Sequence, residues 1–296
     1  LAATPDGASF TWQDFTVLVD QASAIATKKS GESPELTDLY RKAQDLWSQV
    51  RDSGGTLDAE KQVTARHALQ YFVATLMSAQ TQDMAFIADP QVNVNGAVHR
   101  LEPFFIDKHE VTNADWKRFC AGTPGQFAAC LHPATSDPGL PVTFVTFFDA
   151  EAFAASRGKL LPSSEQWTSA AYNALDHSLG FPWGDDEKAE ATNVNSEGPT
   201  LVGTHELDMT KNGIADLVGN VAEWTRTPAS TYGATRTPDF GVGMVVRGAS
   251  FADPPMRLTE ERTMDFYTRA AGLGFRCVLE VPTDPETIRT LISRVS

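Results

Sequence analysis

The chain has 296 residues, 42% hydrophobic and 21% charged, so it can bury a core and is not a disordered polyelectrolyte. Its 24 basic and 38 acidic side chains leave a formal charge of −14 with no Lys/Arg cluster, which disfavours nucleic acid as a partner. No run reaches the roughly 18–20 apolar residues that a membrane-spanning helix needs. The chain opens on Leu1 without a hydrophobic leader, which suggests either a signal-cleaved mature protein or a piece of something longer. Three cysteines are too few for a disulfide scaffold; Cys120 and Cys130 flank one Gly/Pro-containing loop and are a possible bridge, with Cys277 left over. Neither CxxC nor HExxH occurs, so the sequence gives no support for zinc.

The first eighty-odd residues carry helical periodicity. Phe15, Leu18, Val19, Ala22 and Ile25 predict one helix. Leu36, Leu39, Tyr40, Ala43, Leu46, Trp47 and Val50 predict a second, with Ser33 as N-cap, Pro34 at its first position and Gly54-Gly55 as its stop. A third is expected over 57–80, capped by Thr56, with Leu69, Phe72, Val73, Leu76 and Met77 on one face. Three such helices with short links should form a small bundle over residues 1–83.

Beyond Asp83 the texture changes. Residues 84–113 alternate and are rich in Val, Ile and Phe, predicting short strands. Two helices are expected, one after Phe148-Asp149 ending at Gly158, the other opened by a capping box from Ser163 to Gln166. Residues 173–225 lack periodicity yet carry core-type Phe181, Trp183 and Trp224, predicting long ordered loops in need of unusual backbone support. A tail helix is expected from a Thr283–Glu286 capping box, packing Ile288, Leu291, Ile292 and Val295 on the 84–296 body.

Six blocks in this second region carry a resemblance. They are FFIDKHEVTNADWKRFC (104–120), PVTFVTFFDAEAFAASRGKLLPSSEQW (141–167), FPWGD (181–185), NGIADLVGNVAEWT (212–225), VVRGASF (245–251) and GLGFRCV (272–278). Together they resemble the formylglycine-generating enzyme, or sulfatase-modifying-factor, family over about residues 84–280. The resemblance implies an α+β fold, the family's variant of the C-type-lectin-like fold, with a small antiparallel sheet among irregular loops. In the family's best-known member two cysteines hold copper, six and eleven residues after the Arg of the RGGS-like block. The matching positions here are Asp253 and Leu258, neither a thiolate, so no copper is expected. The resemblance further implies a structural calcium ion at Asp216, Gly219, Val221 and Glu223, and a second metal site beginning at Asn193 and Val194. Arg247, Ser250, Asp253, Arg262 and Arg269 match positions around the family's cleft, as possible ligand residues or as ties between loops.

The iron-binding sulfoxide synthases of the family use a histidine cluster in a helical domain, where this chain has His67 alone. His109 and His205 lack partner spacing, Trp183 reads as core, and Ser163 and Ser164 read as helix-start residues. The resemblance extends to the family's non-catalytic extracytoplasmic members, which implies a non-catalytic periplasmic regulator. It would bind a protein partner such as the periplasmic part of a Ser/Thr kinase, as in the regulation of type VI secretion. The alternatives are a cysteine-free periplasmic oxidase or transferase, for example in siderophore maturation, and a displayed lectin-like binding protein.

Overall fold

The structure, a computed structural model, describes residues 11–53, 58–94, 97–123, 125–127, 130, 137–172, 180–229 and 243–295. The chain forms two compact units, residues 1–82 with 280–296, and residues 83–279. Among the described residues no helix is long and apolar enough to cross a membrane.

In the first unit, α1 (Trp12–Lys29), α2 (Pro34–Ser48) and α3 (Ala59–Leu76) follow the apolar stripes. Each begins at a side-chain cap. Thr11 and Asp14 close a capping box, Ser33 accepts the Leu36 N–H, and Asp58 accepts the Lys61 N–H at 2.9 Å. Asp58 thus caps α3; Thr56, Gly54 and Gly55 lie outside the described residues. Phe15, Leu18, Val19, Ala22, Leu39, Ala43, Leu69, Phe72 and Val73 are buried together. The rings of Trp12, Phe15 and Trp47 gather at their edge, with centroids 5.4–6.1 Å apart.

The tail helix α7 (Pro285–Val295) corrects two expectations. It belongs to this first unit and packs on α1 and α3. Its apolar stripe finds matching helical faces there, and Ile288 is fully buried. Its cap is Asp284, which accepts the Thr287 N–H at 2.8 Å, in place of the expected Thr283.

The second unit contains strands β1 (Met84–Ile87), β2 (Gln91–Val94), β3 (Ala97–Arg100), β4 (Phe104–Asp107), β5 (Ala222–Pro228), β6 (Met244–Arg247), β7 (Glu261–Met264), β8 (Leu273–Gly274) and β9 (Val278–Glu280). They assemble as a three-stranded sheet β1-β4-β9, a β2-β3 hairpin and a four-stranded sheet β7-β6-β5-β8. The pairing is antiparallel between β1 and β4, β2 and β3, β5 and β6, and β6 and β7, whereas β8 runs parallel to β5. Helices α5 (Phe147–Ser156) and α6 (Ser164–Tyr172) lie where the sequence places them. Ser163 and Gln166 exchange two 3.0 Å hydrogen bonds at the start of α6. Helix α4 (Asn113–Gly122) adds to the two helices expected from the sequence; Thr112 and Asp115 form its capping box ahead of buried Trp116 and Phe119.

Trp116, Phe119, Phe153, Phe275 and Trp224 form one core, and Phe104, Ile106, Trp167, Phe181 and Leu258 another. Cys120 and Cys130 are bridged, with Cα atoms 5.5 Å apart, and Cys277 is a buried free thiol.

Candidate functional site

The region from Asp208 to Glu223 folds without helix or strand until β5 begins at Ala222. Two left-handed non-glycine residues shape its turns, Asp216 at φ 57° and Asn220 at φ 68°, both of types that tolerate this conformation. Gly219 is required by crowding: a Cβ there would collide with Thr192 Oγ1 and the Asn193 carbonyl. Hydrogen bonds from distant chain segments then hold the loop. Asp208 accepts the Thr192 hydroxyl and the N–H groups of Leu217 and Val218; Glu110 accepts the Asn220 amide at 3.1 Å and the Val221 N–H at 3.4 Å.

Charge is the unusual feature here. Glu110, Asp208, Asp216 and Glu223 are all at most 2% exposed, and the buried cation among them is Arg276, at 0%. Arg276 meets Glu223 with its Nε and Nη2, the latter at 2.6 Å from Oε1, and Trp167 Nε1 adds a 2.9 Å bond to Oε2. It also donates to the carbonyls of Asp107, Lys108 and Ala215. Burial alone would lower the Arg276 pKa, but Glu223 holds it above its ordinary value. One guanidinium does not balance four carboxylates. Burial, with Asp216 and Glu223 adding repulsion, pushes the Glu110 carboxyl well up, and burial raises Asp208 to about 6.

Such a surplus calls for protons or a hard cation. Asp216 Oδ2 accepts the Gly203 N–H at 2.6 Å, whereas its buried Oδ1 has no hydrogen-bond partner among the described residues. His205 Nδ1 stands 3.8 Å from that oxygen. The donor set suits calcium: hard oxygens, net negative charge and one open buried carboxylate atom. Of the four expected calcium ligands, Asp216 has that open oxygen, whereas both Glu223 carboxylate oxygens already accept from Arg276 and Trp167. Asn193 differs. Its amide donates to the Gly198 carbonyl and to Asn220 Oδ1, and its Oδ1 accepts the Ser196 hydroxyl at 2.6 Å. The side chain expected to open a second metal site is thereby committed to its own loop, with Val194 buried beside it.

The cleft residues separate into two kinds. Asp253 accepts the Ser250 N–H and hydroxyl at 2.9 and 2.7 Å and pairs with Arg262 Nη1 at 2.9 Å. Burial opposes ionisation of Asp253, but these donors together hold its carboxyl below its ordinary value. Arg262 also reaches the Gly248 carbonyl. Leu258, at the other expected copper position, is 1% exposed in the core. Arg247, expected as a possible ligand residue, is an internal tie. It is 2% exposed, lies over the Trp167 ring, and donates to Thr168 Oγ1, Glu261 and the Leu258 carbonyl. Arg269 bridges Asp149 Oδ2 and the Phe144 carbonyl, both at 2.8 Å, and stays partly exposed.

Trp183 stacks on Phe181 with ring centroids 5.1 Å apart, as a core extension. Ser164 donates to Glu261, and His109 is packed beneath Gly203 with a buried Nδ1 that has no hydrogen-bond partner among the described residues. Among the described residues no group of three or more His, Cys, Asp and Glu side chains is placed to hold a metal ion. Sequence reasoning did not single out Glu110, Asp208 or Arg276, because their roles depend on partners as far as 169 positions away.

Residues 72–281 match the Sulfatase-modifying factor enzyme 1-like domain family, and the chain belongs to that family. Inactive C-alpha-formylglycine-generating enzyme 2 of Mus musculus is 34% identical over 157 residues, 47% of this chain and 48% of the relative. Hercynine oxygenase of Mycobacterium tuberculosis is 34% identical over 160 residues, covering 48% and 37%. Serine/threonine-protein kinase Pkn1 of Chlamydia trachomatis is 27% identical over 210 residues, covering 61% and 34%. The chain thus spans about half or less of the length of these relatives. The solved structure of PvdO from Pseudomonas aeruginosa superposes with a TM-score of 0.51 at 20% identity, covering 64% of this chain and 86% of that one, a likeness of fold alone.

Proposed function

We propose that the chain is a non-catalytic, extracytoplasmic binding protein of this family that regulates a partner through protein–protein contact. The carrying observation is the pair of positions where copper thiolates are expected. One holds Asp253, locked to Ser250 and Arg262, and the other holds buried Leu258. A soft Cu(I) ion has no thiolate to bind there. The likeness to a mouse relative named as inactive supports the same reading. The likeness to a chlamydial kinase supports a Ser/Thr kinase pathway as the setting; type VI secretion is the specific case we propose from the family resemblance. The Cys120–Cys130 bridge suits an oxidising compartment such as the periplasm.

Incubation with Cu(I) and a cysteine-containing sulfatase peptide should leave the peptide thiol unchanged; conversion to an aldehyde would overturn the reading. The likeness to the mycobacterial hercynine oxygenase favours a second reading, an oxygenase. Oxygen uptake on addition of Fe(II) and a thiol-bearing substrate would establish it, and none is expected.

Calcium belongs to the proposal as a structural ion at Asp216, Gly219, Val221 and Glu223, supported by the unbalanced buried carboxylates. A ligand of the folded state alone stabilises by about 2.7 kcal/mol at a hundredfold excess over its dissociation constant. Chelation should therefore lower the melting temperature by several degrees and calcium should restore it, with Asp216→Asn blunting the response. A melting temperature indifferent to chelator would remove the ion.

A further inference from the structure

We propose that Phe144, Phe148 and Tyr267 form a docking platform for an extended basic peptide segment of the partner protein. The proposal rests on the binding role above and specifies its surface. Aromatic side chains elsewhere in the described residues are buried or half-buried, whereas Phe144, Phe148 and Tyr267 are 53%, 45% and 71% exposed. Phe148 and Tyr267 are ring neighbours, and Phe144 is tied to the same segment through its backbone. The Phe148 ring stands 5.4 Å from Tyr267 and 6.0 Å from Phe266, and Arg269, two residues beyond Tyr267, donates to the Phe144 carbonyl. Exposed rings gathered at one place are the usual mark of an interaction surface.

The backbone is built to present them. Phe144 has φ 58°, a left-handed conformation that is strained for a bulky L residue. It is held there by its own N–H to the Ala270 carbonyl and by the Arg269 guanidinium on its carbonyl. Gly or Asn would meet the same geometry with less strain. The fold therefore bears strain at a position whose side chain points largely into water, a pattern that belongs to functional sites.

Charge identifies the occupant. Arg269 is neutralised by Asp149 at 2.8 Å. Asp265, whose carboxylate accepts the Tyr267 N–H at 2.9 Å, and Glu151, one helical turn beyond Phe148, are exposed. The platform is thus apolar and π-rich with an acidic rim, on a chain of net charge −14. A segment alternating Lys or Arg with apolar side chains complements it: the cation meets the Tyr267 face and the acidic rim, and the apolar side chains cover the Phe rings.

The test is selection of random displayed peptides on the full chain, followed by affinity measurement with the synthetic winner. Winners should combine basic and apolar residues and bind more weakly at raised salt. Tyr267→Ala and Phe148→Ala should each weaken binding about tenfold or more. Phe144→Gly should weaken it as well, while melting no lower than the parent because the strain is relieved. Val98→Ala, exposed on β3, should bind like the parent. No enrichment, acidic winners, glycan binding instead of peptide binding, or platform variants that bind normally would each overturn the proposal. Equal capture of one native partner by parent and platform variants would sink the platform and leave the binding role standing. Copper-dependent peptide oxidation would sink the binding role itself.

Discussion

The two units of this protein reach a fixed structure by opposite routes. In the helical unit, order is local: stripes at spacings of three and four bury Phe15, Leu18, Leu69 and Phe72, and each of α1, α2 and α3 starts on a hydrogen-bonded side chain. In the unit of residues 83–279, long stretches have no ladder to satisfy their backbone, and buried polar groups take that role. Arg276, Arg247 and Glu110 each hydrogen-bond to segments far away in the chain, and Asp208 ties Thr192 to Leu217 and Val218. The contrast shows that a loop-rich domain can be as tightly determined as a bundle when its buried polar groups are hydrogen-bonded.

Breaking that pairing should have the largest effect. Arg276→Met would strand Glu223 among three other buried carboxylates, at a cost of about 3–5 kcal/mol. Chemical denaturation measures the loss, and hydrogen exchange should show lost protection concentrated in residues 83–279. In the helical unit an apolar truncation should do comparable damage. Phe72→Ala empties a site of 0% exposure and should cost about 3–5 kcal/mol, with lost protection in α1–α3. If Phe72→Ala were severe and Arg276→Met mild, the contrast between the units would collapse.

A smaller effect carries a pH signature. Lys159 pairs with Asp107 at 2.6 Å, with side chains 20% and 16% exposed. Burial raises the Asp107 carboxyl above its ordinary 3.8, with Lys159 opposing it. A raised carboxyl pKa means that the folded state holds the proton more tightly. The resulting penalty is present above the folded pKa and vanishes below about 3.8. Lys159→Met removes the opposing charge, so it should cost about 2 kcal/mol at neutral pH, less than a fully buried pair, and much less near pH 4. Urea midpoints across that range measure it, and a cost independent of pH would mean that lost packing dominates. The smallest effect is local: Ser33→Ala should remove about 1 kcal/mol from the helical unit through the cap of α2.

The helical unit was legible almost residue by residue, because a helix is specified by neighbours three and four positions away, and its stripes and caps are written at that spacing. The family of the second unit was legible from six short blocks, and the loss of thiolates at Asp253 and Leu258 from position alone. What the sequence could not give was every assignment that depends on distant partners. Helix α7 carries an apolar stripe that any matching face could bury, and only packing assigned it to α1 and α3. Arg247 and Arg269 look alike as cleft cations; folding puts one over Trp167 inside the core and leaves the other at the surface, bridging Asp149 and Phe144. Phe144 reads as one more apolar residue in a Phe-rich run until its left-handed backbone turns it outward. Local spacing encodes local structure, whereas burial and charge balance are set by segments that sequence order keeps apart and only the tertiary fold brings together.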